Sequence, residues 1–268
     1  MVSAHQPRIV NGNFAEIKNP EVSQAFYGEL KGTSVEFRIE PNKSFKLYVG
    51  LLVPDIPNIQ KNISAEIYQL KDGKYEIIAF LDGSNFNWTP FFEDFAKDNY
   101  WWGPEYKASD SIKGKELKGK LVSAGDYRIK VFSPSNSGKY VLVTGFLELF
   151  PFSEIINASI IVPRLKAQFF GYPLLVLVSS QYVWSYLLAV YVMTFIVGFI
   201  YRLLARKFAK NPVHKVHKNI GKTDRLIRAA IGLGLFLWTV TTSWNPILFF
   251  LSGLAFFEAV FSCPQKSQ

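Results

Sequence analysis

The feature that most limits how this chain can fold is a run of twenty residues without a charged side chain, Tyr182 to Tyr201. In a helix, at ~1.5 Å per residue, such a run spans the ~30 Å hydrocarbon core of a bilayer. The range 169–204 is therefore predicted to hold a first transmembrane helix, from Tyr182 to Leu203. The residues just before it, Tyr172 to Val178, are expected to form a last strand or an interfacial segment.

The positive charge of the chain is concentrated directly after this run. The whole chain carries 30 Lys and Arg against 21 Asp and Glu, a net charge of +9. Residues 202–228 hold nine Lys or Arg and one acidic residue, Asp224, so this stretch alone carries +8. A short basic loop beside an apolar span is typical of the cytoplasmic side of a membrane and suits anionic headgroups. We predict a basic cytoplasmic loop at 205–222, with membrane lipids as partners. Nucleic acid is not expected, because aromatic residues do not alternate with the charges as base stacking requires.

A cytoplasmic loop at this position places the residues before the span outside the cell membrane. Export of an N-terminal domain normally requires a signal peptide. The residues Val2-Ser3-Ala4 have the small-x-small pattern that signal peptidase cuts after. We therefore expect residues 1–4 to be a remnant of a signal peptide and His5 to be the mature N-terminus.

Residues 5–168 predict an all-β sandwich. Ser34 to Glu40 alternates apolar and polar side chains, and Asp-Gly at 72–73 is the turn of a hairpin between two apolar runs. A second hairpin is predicted to pair the strand at 127–131 with the strand at 140–147. The chain has one cysteine, so the sandwich must be stabilised by its core without an intrachain disulfide.

Residues 121–145 carry a small-Gly-x-Tyr turn, an alternating strand, a Gly-x-Tyr and a second strand. This pattern resembles the final hairpin of the secreted jelly-roll domains typified by the pre-peptidase C-terminal family. The resemblance implies a β-sandwich of a kind appended to exported proteins, and no catalysis.

The segment 85–106 contains nine aromatic residues in 22. Most of these rings are expected to fill the core, because a sandwich without disulfides needs bulky side chains. Three phenylalanines fit one face of a short helix: Phe91, Phe92 and Phe95. Three tryptophans are the better candidates for a surface that binds sugars, lipids or a partner protein: Trp88, Trp101 and Trp102.

The residues of the outer domain indicate little chemistry. Catalysis by a nucleophile and a base needs a base near an activated group, and the only histidine before the span is His5. We expect no enzymatic activity, no cofactor and no metal site. His5, as a mature N-terminus, is a minor candidate for copper, but a histidine brace needs a second imidazole. His214 and His217 lie in the loop on the other side of the membrane.

Asn42, Asn62 and Asn157 each begin an Asn-x-Ser sequon in the part placed outside. They are candidates for glycosylation if the source organism modifies such sites.

The C-terminal region contains an ordered set of short motifs: Asn219-Ile220-Gly221, Asp224-Arg225, Arg228, Gly253-Leu254-x-Phe256 and Cys263-Pro264. This set resembles the YgaP-like transmembrane domain, which implies a two-helix hairpin at 223–264 with both ends cytoplasmic. No rhodanese domain is recognised beside the hairpin in this sequence, so the resemblance does not imply sulfur transfer.

The residues predict the same hairpin. Thr223 or Asp224 can cap a helix to about Thr242, residues 243–246 form a turn, and residues 247–262 return. Four small residues let the two arms approach closely: Gly232, Gly234, Gly253 and Ala255. Cys263 is expected to be a packing residue, and residues 265–268 to be a cytoplasmic tail.

Glu258 is the only acidic residue inside a predicted span, where a lone charge costs at least ~2.5 kcal/mol at the bilayer centre. It lies five residues before Cys263. In an antiparallel hairpin, the residues at that depth on the other arm follow Asp224. We therefore expect an intramembrane ion pair between Arg228 and Glu258.

The predicted fold is a membrane protein with an all-β, jelly-roll-like extracytoplasmic sandwich followed by three transmembrane α-helices in the cytoplasmic (inner) membrane. One helix would suffice as a tether, so the extra hairpin favours an accessory or structural subunit that packs against other membrane-protein subunits. The alternative is a glycan- or ligand-binding surface module that uses residues 85–106. A minor alternative is a copper-handling protein that uses His5.

Overall fold

The computed structural model of the chain describes residues 5–94, 96–109, 118–208 and 221–261, and the side chains of all of these except 205–208. The chain divides into two compact units, Met1–Val162 and Pro163–Gln268. Several predicted features lie outside the described residues: Phe95, most of the basic loop, Cys263, the tail, and residues 1–4.

The N-terminal unit contains two main β-sheets. The six-stranded sheet has, in spatial order, β1 (Gln6–Ile9), β3 (Gln24–Lys31), β13 (Ser137–Thr144), β6 (Val49–Pro54), β10 (Asp98–Tyr106) and β9 (Thr89–Glu93). The five-stranded sheet has β2 (Phe14–Glu16), β4 (Val35–Ile39), β12 (Tyr127–Phe132), β7 (Ser64–Lys71) and β8 (Lys74–Leu81). A separate pair joins β5 (Phe45–Leu47) to β11 (Lys120–Val122). Both sheets are antiparallel except where β1 meets β3 and β2 meets β4.

The core lies between the two sheets. In β4, Val35, Phe37 and Ile39 are buried and the residues between them are half-buried, as the alternating sequence predicts. Phe37 packs edge-to-face against Phe26 of the other sheet, with ring centroids 5.5 Å apart. The prediction of an all-β domain with a two-sheet, sandwich-like arrangement is confirmed.

One glycine makes room for a large ring in this core. Gly28 in β3 lies opposite Tyr140 in β13. A Cβ atom at position 28 would lie 2.5 Å from the Tyr140 ring. Because Tyr140 is fully buried, a glycine opposite it lets the ring lie across the neighbouring strand.

The two predicted hairpins have different outcomes. The hairpin at Asp72-Gly73 is present: β7 pairs with β8, and both turn residues have positive φ, 48° and 77°. The second hairpin is wrong in its pairing. Both strands exist, but β12 pairs with β4 and β7, whereas β13 pairs with β3 and β6 in the other sheet. The chain changes sheets at residues 133–136, and each strand keeps the alternation that a hairpin would also show.

Helices begin before the predicted end of the sandwich. The last strand ends at Thr144, and α1 (Phe152–Arg164) continues into a π-helical turn (Leu165–Phe169). The sequence placed the end of the sandwich at 168, whereas Ala158, Val162, Leu165 and Phe169 are buried at helical spacing. The short helix α2 (Leu174–Ser179) occupies most of the range 172–178, so the alternative of a last strand there is wrong.

The C-terminal unit contains three longer helices: α3 (Gln181–Phe208), α4 (Lys222–Thr242) and α5 (Pro246–Phe261). Among the described residues, two helices are long and apolar enough to cross a membrane, over Gln181–Leu204 and Lys222–Thr242, while the apolar helix α5 has 16 residues. The two-helix hairpin at 222–261 has helix bounds within two residues of those predicted. The predicted cap differs: Gly221 is the N-cap of α4, and no side chain caps it.

Candidate functional site

The first candidate site is a group of charged side chains from all three long helices. Arg228 of α4 and Glu258 of α5, the predicted ion pair, lie close together, with Nη1 3.7 Å from Oε2. Arg202 of α3 also approaches Glu258, with Nη2 3.6 Å from Oε1. Arg228 is additionally 3.6 Å from Asp224 on its own helix. One carboxylate therefore links two arginines that are far apart in the sequence; we call Arg202, Arg228 and Glu258 the charged triad.

The sequence did not predict Arg202 as a second partner of Glu258. Its guanidinium lies over the Phe257 ring at 4.9 Å and donates a hydrogen bond to the Phe261 carbonyl. The available signal was its position as the first charge after the apolar run, which places it near the same membrane boundary as Glu258. That position indicates the depth of Arg202 in the membrane, but it does not show which helices are its neighbours.

A second set of polar contacts joins the helices away from the triad. The hydroxyls of Tyr191 and Ser252 are 3.0 Å apart, and Ser252 donates to the Gly232 carbonyl at 2.8 Å. Ser252 is fully buried. The hydroxyl of Ser252 on α5 thus contacts both α3 and α4. These two contacts fix the rotation of α5 about its own axis.

Small residues allow the helices to approach closely, but not all as predicted. A Cβ at Gly232 would lie 3.2 Å from the Ser252 carbonyl oxygen, so this glycine does face α5. Gly253 instead faces Thr194 of α3, at 2.9 Å. Gly234 has nothing within 4 Å of such a Cβ, so its predicted role in the contact between the two arms is wrong.

Of the eight described aromatic residues in segment 85–106, three are buried, Trp88, Tyr100 and Trp102, which corrects the prediction for two of the three surface candidates. Trp88 and Trp102 are 7% and 2% exposed. The Trp88 indole donates to the Gly83 carbonyl at 2.8 Å, and the Trp102 ring packs against Phe91 at 4.8 Å. Trp88, just before β9, belongs to the hydrophobic core between the sheets, whereas Trp102 is buried on the side of β10 opposite to Trp101.

Trp101 differs from Trp88 and Trp102. It is half-buried, its indole donates to Asp55 at 3.0 Å, and the Lys61 ammonium lies 3.6 Å above its ring. The predicted helix at Phe91 and Phe92 is wrong, because both residues lie in β9 and pair with β10. A spacing of one and three residues in so short a segment does not separate a helix from a strand.

His5 lies against the sandwich. Its Nδ1 shares a hydrogen bond with the hydroxyl of buried Ser23, and burial lowers the pKa of His5 to about 4. Nδ1 is the ring nitrogen that would close a chelate with the residue's own amine. Among the described residues, no group of three or more His, Cys, Asp and Glu side chains could hold a metal ion.

The three sequons lie in different surroundings. Asn42 is exposed, Asn62 is half-buried, and Asn157 is half-buried on α1. The Asn157 amide donates to Glu154 at 3.4 Å.

The N-terminal unit also contains a cleft of about 700 Å³ that the sequence did not reveal. Its polar lining includes Arg8, which donates to both carboxylate oxygens of Glu154 at 2.8 and 2.9 Å. These bonds hold the pKa of Glu154 below its usual range. Arg8 also donates to Gln6 at 2.7 Å, and Gln6 donates to the Leu149 carbonyl at 2.6 Å. These side chains bind one another across the cleft.

Comparison with known proteins finds a family model that matches the helices α4 and α5. Residues 216–265 match the family model described as inner membrane protein YgaP-like, transmembrane domain. This match confirms the resemblance carried by the motifs at 219–264. Together with the two apolar helices, it supports a membrane location.

A search of curated proteins found no match for this chain. Among solved structures, the chain is similar to the pre-peptidase C-terminal domain of collagenase from Bacillus anthracis, with a TM-score of 0.27 and 8% identity. The similarity covers 53% of this chain and 95% of that chain.

Proposed function

We propose that this chain is a non-enzymatic integral membrane protein with three crossings. It displays a jelly-roll-like sandwich outside the cytoplasmic membrane and serves as an accessory or structural subunit of a larger membrane complex. The observation that supports this proposal is the linkage of all three long helices through α5. Ser252 and Glu258 each contact both α3 and α4. A simple tether needs one helix and none of these contacts.

The orientation follows from the distribution of charge. Nine Lys or Arg lie within residues 202–228, a range that runs from the last turns of α3 to the first turns of α4. The turn between α4 and α5, residues 243–245, carries no charge. The positive-inside rule then puts the long loop in the cytoplasm and the short turn outside.

Cysteine labelling tests this topology. In a Cys263→Ser background, single cysteines at Ser135, Lys222 and Thr242 are treated with a membrane-impermeant maleimide on intact cells. All three positions are exposed. Three crossings predict labelling of Ser135→Cys and Thr242→Cys from outside, and of Lys222→Cys only after lysis. Labelling of all three from the same side would contradict the crossing by α3.

Native mass measurement tests the role as a subunit. The full chain, solubilised from its own membrane in a mild detergent, is expected to carry at least one other membrane protein at fixed stoichiometry. Leu233 and Leu237 lie half-exposed on α4, and Leu121 is 69% exposed on the sandwich. Leu237→Trp should weaken the association by steric conflict in the membrane, whereas Leu121→Trp should not. Recovery of the wild-type chain without any other membrane protein would contradict the proposal.

A second candidate function, a glycan- or ligand-binding module, is favoured by one observation in the aromatic segment. Phe86 and Phe92 are 40% and 48% exposed, and Trp101, in the same segment, is half-buried. Tryptophan fluorescence of the full chain, titrated with glycan fragments, tests this function. A saturable change that Trp101→Ala abolishes would support it, and an unchanged spectrum would contradict it.

A further inference from the structure

Helix α1 exposes apolar side chains where a water-facing helix would have polar ones. Phe152, Ile155 and Ile156 are 76%, 52% and 49% exposed. Their spacing, at positions i, i+3 and i+4, puts them on one face of the helix. Ala158 and Val162, three and seven residues after Ile155, lie on the adjoining side of the helix and are buried. The apolar surface of this helix is therefore only partly covered; we call Phe152, Ile155 and Ile156 the exposed face of α1.

The single acidic side chain in the first turn of α1 is neutralised. Glu154 accepts two hydrogen bonds from Arg8, at 2.8 and 2.9 Å, and one from Asn157 at 3.4 Å. A paired carboxylate is much less costly to bring to an apolar boundary than a solitary one. The exposed face of α1 can thus leave water without stranding a lone charge.

The residues before α1 also expose apolar side chains, on either side of the exposed Glu148. Leu147 and Leu149 are 43% and 53% exposed, so five large apolar side chains are exposed within ten residues. Scattered apolar residues are normal on a protein surface, but a grouped set marks a surface that is covered by something.

The position of α1 in the chain indicates what covers this face. Residues 157–180 connect Ile156 to α3, the first apolar span, and more than half of them are helical, which keeps the connection short. The intervening helix α2 also exposes apolar residues, with Leu174 and Leu175 at 49% and 85%. Two successive helices before a span thus present apolar side chains and no unpaired acidic group, which suits the boundary between headgroups and acyl chains.

We propose that α1 is an interfacial helix whose exposed face docks on the surface of the bilayer that α3 enters. The apolar side chains would be buried about 5–10 Å into the boundary between headgroups and acyl chains. This inference rests on the proposed crossing by α3, but not on its direction.

Site-directed spin labelling of the full chain tests the inference. In a Cys263→Ser background, one nitroxide is attached at Ile155→Cys in vesicles of phosphatidylcholine and phosphatidylglycerol. Accessibility to oxygen, which concentrates in lipid, is compared with accessibility to a water-soluble nickel chelate. Two matched controls are Ile77→Cys, 56% exposed on β8, and Met193→Cys, 62% exposed on α3.

The expected result is that position 155 resembles position 193, with oxygen favoured over nickel, while position 77 shows the reverse ratio. Phe152→Cys should repeat the result for 155. A label at 155 that behaves like the one at 77 would overturn the docking while leaving the crossing by α3 intact. Protection of 155 from both reagents would also overturn it, since a protein surface would then cover α1. A water-exposed label at 193 would refute the crossing itself, and the docking with it.

Discussion

The carboxylate of Glu258 lies 3.6 Å from the guanidinium of Arg202, and this contact joins α5 to α3. The other oxygen of the same carboxylate faces Arg228 of α4 at 3.7 Å. A single acidic side chain therefore ties together three helices that the sequence presents as a lone span followed by a hairpin. The positive charge of two arginines also keeps this carboxylate from being a solitary charge near the membrane.

A double-mutant cycle of Glu258→Gln and Arg202→Gln measures this contact. The side chains are partly exposed, so solvent and headgroups screen the pair, and we expect a coupling energy of about 0.5 to 1 kcal/mol. The free energy of unfolding in mixed micelles is the quantity to compare. A second cycle with Arg228→Gln should give a similar value.

The control for this cycle is Lys222→Gln, which removes an exposed charge at the start of α4. Its effect should be additive with that of Glu258→Gln. Additive effects for Arg202 as well would mean that the two side chains do not interact in the folded protein.

Part of the charged triad could be predicted from the sequence because membrane depth can be counted along a helix. Glu258 and Arg228 lie on two arms joined by a short turn, so equal depth implies proximity. Arg202 has the same depth, but residues 203–221 separate it from α4, and no local signal states that α3 packs against α5. The missing information is the packing between helices, which depends on glycine contacts such as that of Gly198.

Gly198 of α3 is predicted to be intolerant of a side chain. A Cβ at this position would lie 2.7 Å from the Phe257 ring. Gly198→Ala should therefore destabilise the three-helix unit by about 1 to 3 kcal/mol, because the helices must separate or the ring must move. Thermal unfolding in detergent measures the change.

Gly234→Ala is the matched control, since nothing lies within 4 Å of a Cβ at this position. It should be neutral or stabilise α4 slightly, because alanine has a higher helix propensity than glycine. Equal losses of stability in the two variants would show that backbone flexibility, and not the contact with Phe257, explains the glycine at 198.

Replacement of the buried residue Trp102 is predicted to destabilise the sandwich. It is 2% exposed and packs edge-to-face on Phe91. Trp102→Ala should lower the free energy of unfolding by about 3 to 5 kcal/mol. Phe92→Ala, on the adjacent strand with a 48% exposed ring, should change it by less than about 0.5 kcal/mol. Denaturant unfolding followed by circular dichroism compares the two, and a small effect at Trp102 would contradict its burial.

The sandwich shows where sequence patterns stop being informative. The hairpin at Asp72-Gly73 was predictable because a tight turn has local chemistry: both residues must adopt positive φ. The partners of β12 and β13 were not, because alternation directs side chains toward the core and does not say in which sheet a strand lies. The pairing of Gly28 with Tyr140 selects the register of β13 on β3, but it becomes visible only when the two strands are side by side.

His5 should make the stability of the folded chain depend on pH. Burial lowers its pKa to about 4 in the folded state, against a usual value of 6.5 when unfolded. Between these values the unfolded state binds more protons, so stability falls as the pH is lowered from 6.5 to 4. The stabilisation by neutral His5 is fully present above pH 6.5 and amounts to at most about 3 kcal/mol.

The measurement compares the wild type with His5→Asn by denaturant unfolding at pH 7.5 and pH 4.5. Glu154, whose pKa is lowered by Arg8, also loses stabilising charge as the pH falls, so the wild-type change alone does not isolate His5. The difference between the two proteins does, because both retain the pair of Arg8 and Glu154. We expect the wild type to lose more stability than the variant across this range. Equal losses would mean that His5 is solvated and titrates normally in the folded chain.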